Sequence, residues 1–205
     1  MLLNNKIKKK INCQLWKLKN YPLSKETDNV EQIAKYIAKI HSYDILQNDL
    51  PLYDVRWVRN LVLESKDYEI KSNIITALEI MSKIEIVKKN DNKFLTWNIG
   101  NTTWQADYET GYIGSYVWDI AAIINYVSDS TFSDIFLESY IKYGRRKPTL
   151  TAIYANIYYV QTLKAVMDRD FGKIESLTED IITENSFYTD IISVETISRL
   201  RILGY

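Results

Sequence analysis

Apolar positions along the 205-residue chain recur mostly at helical intervals. Val30, Ile33, Ala34, Ile37 and Ile40 mark one face of an amphipathic helix. Asp28 stands where an N-cap is needed, and Glu31 lies three residues on, as in a capping box. Trp57, Val58, Leu61 and Val62 predict a second helix, and Ile70, Ile74, Leu78 and Met81 a third. Asn90-Asp91-Asn92 then interrupts the pattern with turn chemistry. From Phe94 to Val117 the texture changes to strand-forming aromatics, threonines and three glycines. Helical spacing resumes at Trp118 and returns over 133–144, 149–167 and 187–203. The pattern predicts a mainly α fold with a small β hairpin region.

Composition strengthens that expectation. Six glycines and three prolines are too few for a turn-dense all-β fold, and no glycine precedes Gly100, so the first 99 residues hold no glycine-rich phosphate loop. The length suits one domain with a real core. A single cysteine, Cys13, excludes an internal disulfide framework, and a single histidine, His41, excludes a multi-histidine metal site. No run of 18 apolar residues occurs; the nearest, Thr149 to Leu163, carries Thr, Asn, Gln and three tyrosines. With no signal-like start either, the expectation is a soluble cytoplasmic protein without a membrane span.

Charge is balanced overall, at 26 basic and 26 acidic residues, which argues against a specific nucleic-acid binder. It is unevenly placed. Residues 1–25 hold seven lysines and no acid, whereas 168–205 hold eight acids against four bases. The lysine-rich start could meet an anionic surface; a solvated, partly frayed segment is the commoner fate of such a terminus. Arg145-Arg146-Lys147 reads as the cationic end of a helix. His41 closes the helix that begins near Val30 and reads as a satisfied cap.

The irregular island carries the candidate chemistry. Asn98, Asn101, Asp107, Glu109 and Asp119 fall within 22 residues and offer the hard oxygen ligands that magnesium takes alongside phosphates. Asp107 and Glu109 read equally well as turn residues. Trp97, Trp104, Trp118, Tyr108, Tyr112 and Tyr116 could cage a quaternary ammonium, although packing is the commoner role of such rings, as it is for Tyr154, Tyr158 and Tyr159.

The string DYETGYIGSYVWDIA, Asp107 to Ala121, resembles the signature after the catalytic loop of choline/ethanolamine kinases and aminoglycoside phosphotransferases. Asp107, Tyr108 and Glu109 are followed, twelve positions after the first aspartate, by Trp118-Asp119-Ile120-Ala121 in the family's spacing. Ile37 to Asp44 resembles the helix leaving the family's hinge, Phe136 to Gly144 the helix after the signature, and Ile157 to Val166 a later aromatic-rich helix. The resemblance covers roughly residues 24–171. It implies a kinase-like C-lobe over 28–205, preceded by a lysine-rich, hinge-like segment over 1–27. It also implies Asp107 and Asn101 as metal ligands and Asp119 as a structural brace for the catalytic loop.

The departures from the family shape the functional expectation. The family's base is an aspartate two residues after a histidine. Matching Asn101 to the metal asparagine puts those positions on Phe94 and Thr96; matching from the left edge of the loop puts them on Thr96 and Asn98. Either Thr96 or Asn98 therefore stands at the base position, and neither is a competent base near neutral pH. Five residues separate Asn101 from Asp107, too few for the family's intervening hairpin. Fewer than 30 residues precede the hinge-like helix, so the β-rich N-lobe and its phosphate-contacting lysine are missing from this sequence. The expectation is a degenerate, catalytically inactive kinase-like C-lobe that serves as a binding or scaffold module, with no cofactor. The alternative is an ATP- and magnesium-dependent phosphotransferase acting on choline, an aminoglycoside or a similar hydroxyl substrate, completed by an N-lobe from another chain. Both readings leave a face for a protein partner or a second copy of the chain; the substrate-binding residues are unknown.

Overall fold

A computed structural model describes residues 2–45, 52–53, 92–96, 108, 111–168, 170, 172–173, 176 and 192–203. The predicted second and third helices, over 57–62 and 70–81, lie outside the described residues. The rest is mainly helical with a small sheet. In chain order the elements are α1 (Leu2–Leu18), a 3-10 turn (Thr27–Asn29), α2 (Val30–His41), β1 (Leu52–Tyr53), β2 (Asn92–Leu95), β3 (Tyr112–Ser115), α3 (Tyr116–Val127), α4 (Ser130–Tyr143), α5 (Leu150–Asp168) and α6 (Val194–Ile202).

Helix α3 is the centre. Tyr116 to Ile124 are all buried, as is Val127. A helix that is apolar on nearly every side must be surrounded, and here α5 packs along it while β2 and β3 meet its first turns. Helices α2 and α4 form the second principal pairing, with α1 laid against α2. Phe132, Phe136 and Tyr140 supply α4's buried face at helical spacing. The chain turns from α3 to α4 over two residues: Ser128 adopts a left-handed conformation at φ 50°, and Asp129 caps α4 by accepting from the Phe132 N–H at 2.9 Å.

Strands β2 and β3 pair antiparallel, Phe94 opposite Ile113, as the strand-like texture predicts. The short β1 adds a third, parallel strand on the other edge of β3, giving the order β1-β3-β2. Asn92, read from sequence as part of a turn, already belongs to β2, and α3 begins two residues before Trp118.

Two local expectations are corrected. Residues 2–18 form a helix rather than a frayed segment, because Ile11, Leu15 and Leu18 recur at helical spacing and are fully buried. Three lysines of the same helix lie over tyrosines: Lys8 over Tyr108, Lys10 over Tyr43 and Lys17 over Tyr36. Such contacts let a cation stay solvated while its stem covers an aromatic ring. At α2, Asp28 sits inside the 3-10 turn and Asn29 occupies the N-cap without a side-chain bond. The tight turn satisfies the entry geometry before a capping box can form. Among the described residues no helix is long and apolar enough to cross a membrane.

Candidate functional site

Among the described residues, the buried core contains a linked polar array. His41 ends α2, Tyr140 lies in the last turn of α4, Asp119 lies in the first turn of α3, and Thr96 follows β2. His41 Nδ1 is 2.8 Å from the Tyr140 hydroxyl, and Nε2 is 3.0 Å from Asp119 Oδ2. The same Oδ2 accepts from the Thr96 N–H at 2.9 Å and from its hydroxyl at 2.6 Å. All four residues are at most 1% exposed, which makes these bonds necessary rather than optional. Asp119 is a carboxylate inside an otherwise apolar helix, and an unpartnered charge there would be prohibitively costly.

In a neutral imidazole, Nε2–H donates to Asp119 and Nδ1 accepts the tyrosine O–H. A doubly protonated ring donates at both nitrogens, with the tyrosine oxygen accepting. Burial holds the Tyr140 hydroxyl well above the usual tyrosine range; the neighbouring Tyr116 and Asp119 push the same way, against Arg146. The rings of Tyr116 and Tyr140 are nearly parallel at 6.4 Å, and both present themselves at steep angles to His41. The imidazole is thus fixed in position and orientation by two hydrogen bonds and two aromatic walls.

Beside this array lies a pocket of about 320 Å³, lined by Ala38, His41, Ser42, Asp44, Lys93, Tyr140, Arg145 and Arg146. Lys93, on β2, is buried, and its ammonium donates to the Tyr43 carbonyl at 3.2 Å and to Asp44 Oδ1 at 2.6 Å. The hydrogen bond and charge of Lys93 hold the Asp44 carboxyl below its ordinary range, with Arg146 and Arg145 adding to the effect. Arg146 also lies over the Tyr116 ring at 5.6 Å.

Of the residues singled out from sequence, the fold brings together Thr96 and Asp119. Asn98, Asn101, Asp107, Glu109, Trp97 and Trp104 lie outside the described residues. Tyr108, Tyr116 and Trp118 are core residues; Tyr108 stacks on Phe94 at 5.3 Å and offers its backbone N–H to Asn12 Oδ1. Tyr154 and Tyr158 are likewise packed. His41 is satisfied by Tyr140 and Asp119 rather than by capping its own helix, a role taken by Ser42. Arg145 and Arg146 follow the helix end, since α4 stops at Tyr143 and Gly144 is its C-cap. Sequence reasoning missed Tyr140 and Lys93. The available signal was His41 itself, an imidazole in register with Ala34, Ile37 and Ala38 on an apolar face.

Among the described residues no serine, threonine or cysteine side chain stands on His41; the hydroxyl at its second nitrogen is that of Tyr140, which is 1% exposed. Ser42, the hydroxyl nearest in sequence, donates to the Lys39 carbonyl at 2.6 Å. Among the described residues no three His, Cys, Asp or Glu side chains gather as a metal cluster would require. What the geometry does is join three chain segments at one carboxylate oxygen and tie a fourth, through Tyr140, to the far side of the imidazole. No protein-family model matches this chain, and neither does any curated protein or any solved structure.

Proposed function

We propose that this chain is a degenerate kinase-like C-lobe that acts as a binding or scaffold module and transfers no phosphoryl group. The observation that carries the reading is Asp119: its carboxylate, at the start of the central helix, holds the backbone N–H of Thr96 at 2.9 Å. That is the kind of contact the resemblance implies for a helix aspartate bracing a catalytic loop. In one match Thr96 stands at the family's base position, and in the other Asn98 does.

In either match the base position carries no carboxylate to accept a substrate proton. Thr96 is buried, and its hydroxyl is spent on Asp119. Phosphoryl transfer needs a base or water-orienting group, a metal and a phosphate cradle. A fold that keeps the brace and lacks the base is suited to holding a surface rather than to chemistry. A protein partner or a second copy of the chain fits that role.

The test is a coupled assay for ATP consumption over choline, ethanolamine, aminoglycosides and simple sugars. We expect no turnover above background. Turnover abolished by Asp107→Ala would overturn this reading in favour of a phosphotransferase completed by another chain.

A further inference from the structure

Helix α1 has two contrasting sides. Ile11, Leu15 and Leu18 are buried on one. On the other, at helical spacing, Lys6, Lys9, Lys10, Cys13 and Trp16 are all exposed. Lys10 of α1 and Lys39 of α2 both stand 5.8 Å from the centre of the Tyr43 ring, so the basic stripe continues from one helix onto the next. Lys35 is exposed one turn before Lys39.

Few acids answer these cations. Residues 1–45 hold nine lysines and four acids, an excess of five positive charges. Two of the acids are already met by cations from elsewhere, Glu31 by Lys142 and Asp44 by Lys93. The other two, Glu26 and Asp28, stand at the entry to α2, beyond the end of α1. Among the described residues no lysine of α1 forms an ion pair.

Trp16 is the informative residue. It is 66% exposed, so its ring adds little to the core, and Lys17 and Lys19 follow it closely in sequence. Indole rings favour the level of lipid headgroups, where one edge is wet and the other apolar. Lysine-rich helix faces are drawn to anionic headgroups.

We propose that the exposed face of α1, continued by Lys35 and Lys39 of α2, docks on the surface of an anionic phospholipid bilayer. The lysines supply the attraction, and Trp16 seats among the headgroups. The apolar side of α1 stays in the protein core, so the contact is peripheral and sensitive to salt. Acids of a second copy, concentrated over 168–205, would answer the lysines but not the indole. The balanced charge of the whole chain disfavours nucleic acid. The inference is independent of the kinase-like reading.

The experiment is co-sedimentation of the full chain with two kinds of vesicle. One is phosphatidylcholine alone, and the other carries about 30% phosphatidylserine. Binding is expected to the anionic vesicles only, falling at least about fivefold between about 50 and 300 mM salt. Lys6→Gln/Lys9→Gln/Lys10→Gln should weaken it at least about tenfold. Trp16→Ala should weaken it about threefold or more, and Trp16→Phe should abolish the vesicle-induced shift in tryptophan emission. These side chains are exposed, so the variants should fold, which circular dichroism checks. Absence of binding to the anionic vesicles, or equal binding to both kinds, would overturn the proposal. So would unchanged binding in the lysine variant, which would place the contact on another basic surface such as Arg145 to Lys147, or an emission shift that survives Trp16→Phe. Self-association of the chain that the lysine variant abolishes, without vesicle binding by the parent, would assign the face to a second copy and overturn it as well.

Discussion

His41 and Asp119, 78 positions apart, meet at 3.0 Å with both side chains excluded from solvent. The contact links α2 to the first turn of α3, and Thr96 attaches β2 to the same oxygen. Asp119→Ala therefore removes one acceptor and strands three donors in the core. The expected cost is about 3–5 kcal/mol, read from urea denaturation. Asp119→Asn keeps an oxygen and should cost less. A loss below about 1 kcal/mol for the alanine variant would show that the array is not the fold's central tie.

Tyr140 gives a pH signature. Its ionisation is displaced upward in the folded chain, mainly by burial. Between the ordinary tyrosine value near 10 and the higher folded value, the folded state binds the extra proton, so stability falls as pH rises. That contribution is complete below about pH 10 and is lost through the folded value. Tyr140→Phe should flatten this alkaline limb in thermal melts taken from pH 8 to 11. Near neutrality it should cost about 1 kcal/mol through loss of the bond to His41. An alkaline limb identical in the two proteins would refute the assignment.

Helix α1 separates two neighbouring residues by their roles. Leu15 is fully buried, whereas Trp16 is 66% exposed. Leu15→Ala should destabilise by about 2–5 kcal/mol through lost transfer energy and a residual cavity. Trp16→Ala should stay within about 0.5 kcal/mol of the parent. Denaturant midpoints of the two variants, compared at constant slope, decide it. Equal, small losses would mean that α1 does not belong to the cooperative core.

The sequence was most informative where one element's pattern sufficed. Helical spacing over Val30–Ile40 located α2, and the apolar run VWDIAAII located α3, because side-chain period and burial are local properties. The N-terminus misled for a physical reason: its lysines dominate composition, yet Ile11, Leu15 and Leu18 alone decide whether the helix docks. The polar array was legible in part. Asp119 is conspicuous in an apolar helix, where a carboxylate must find partners. That His41 and Tyr140 would join it depends on α2 crossing α4, which no local pattern encodes. The pocket was invisible for the same reason, since Lys93 and Arg145 lie 52 positions apart in sequence. Charges in contiguous runs look like solvated faces until the fold shows what lies between them.

Gly144 tests the helix end that carries the two pocket arginines. Its backbone, at φ −87° and ψ 153°, is one any residue adopts, so conformational strain is not the issue. In an open position, replacing such a glycine by alanine would stabilise by about 0.4–1 kcal/mol through the unfolded chain's entropy. Here an added Cβ would stand 2.7 Å from the Tyr140 carbonyl oxygen, the same oxygen that accepts the Gly144 N–H at 2.7 Å. Relief requires the backbone to move, lengthening that bond and shifting the turn toward Arg145. Overpacking of this kind costs about 1–3 kcal/mol, which outweighs the entropic gain. Gly144→Ala should therefore be less stable than the parent in thermal and urea unfolding, with a weakened amide protection at residue 144 by hydrogen exchange. A more stable variant would mean that the close approach of Gly144 to Tyr140 does not constrain the end of α4.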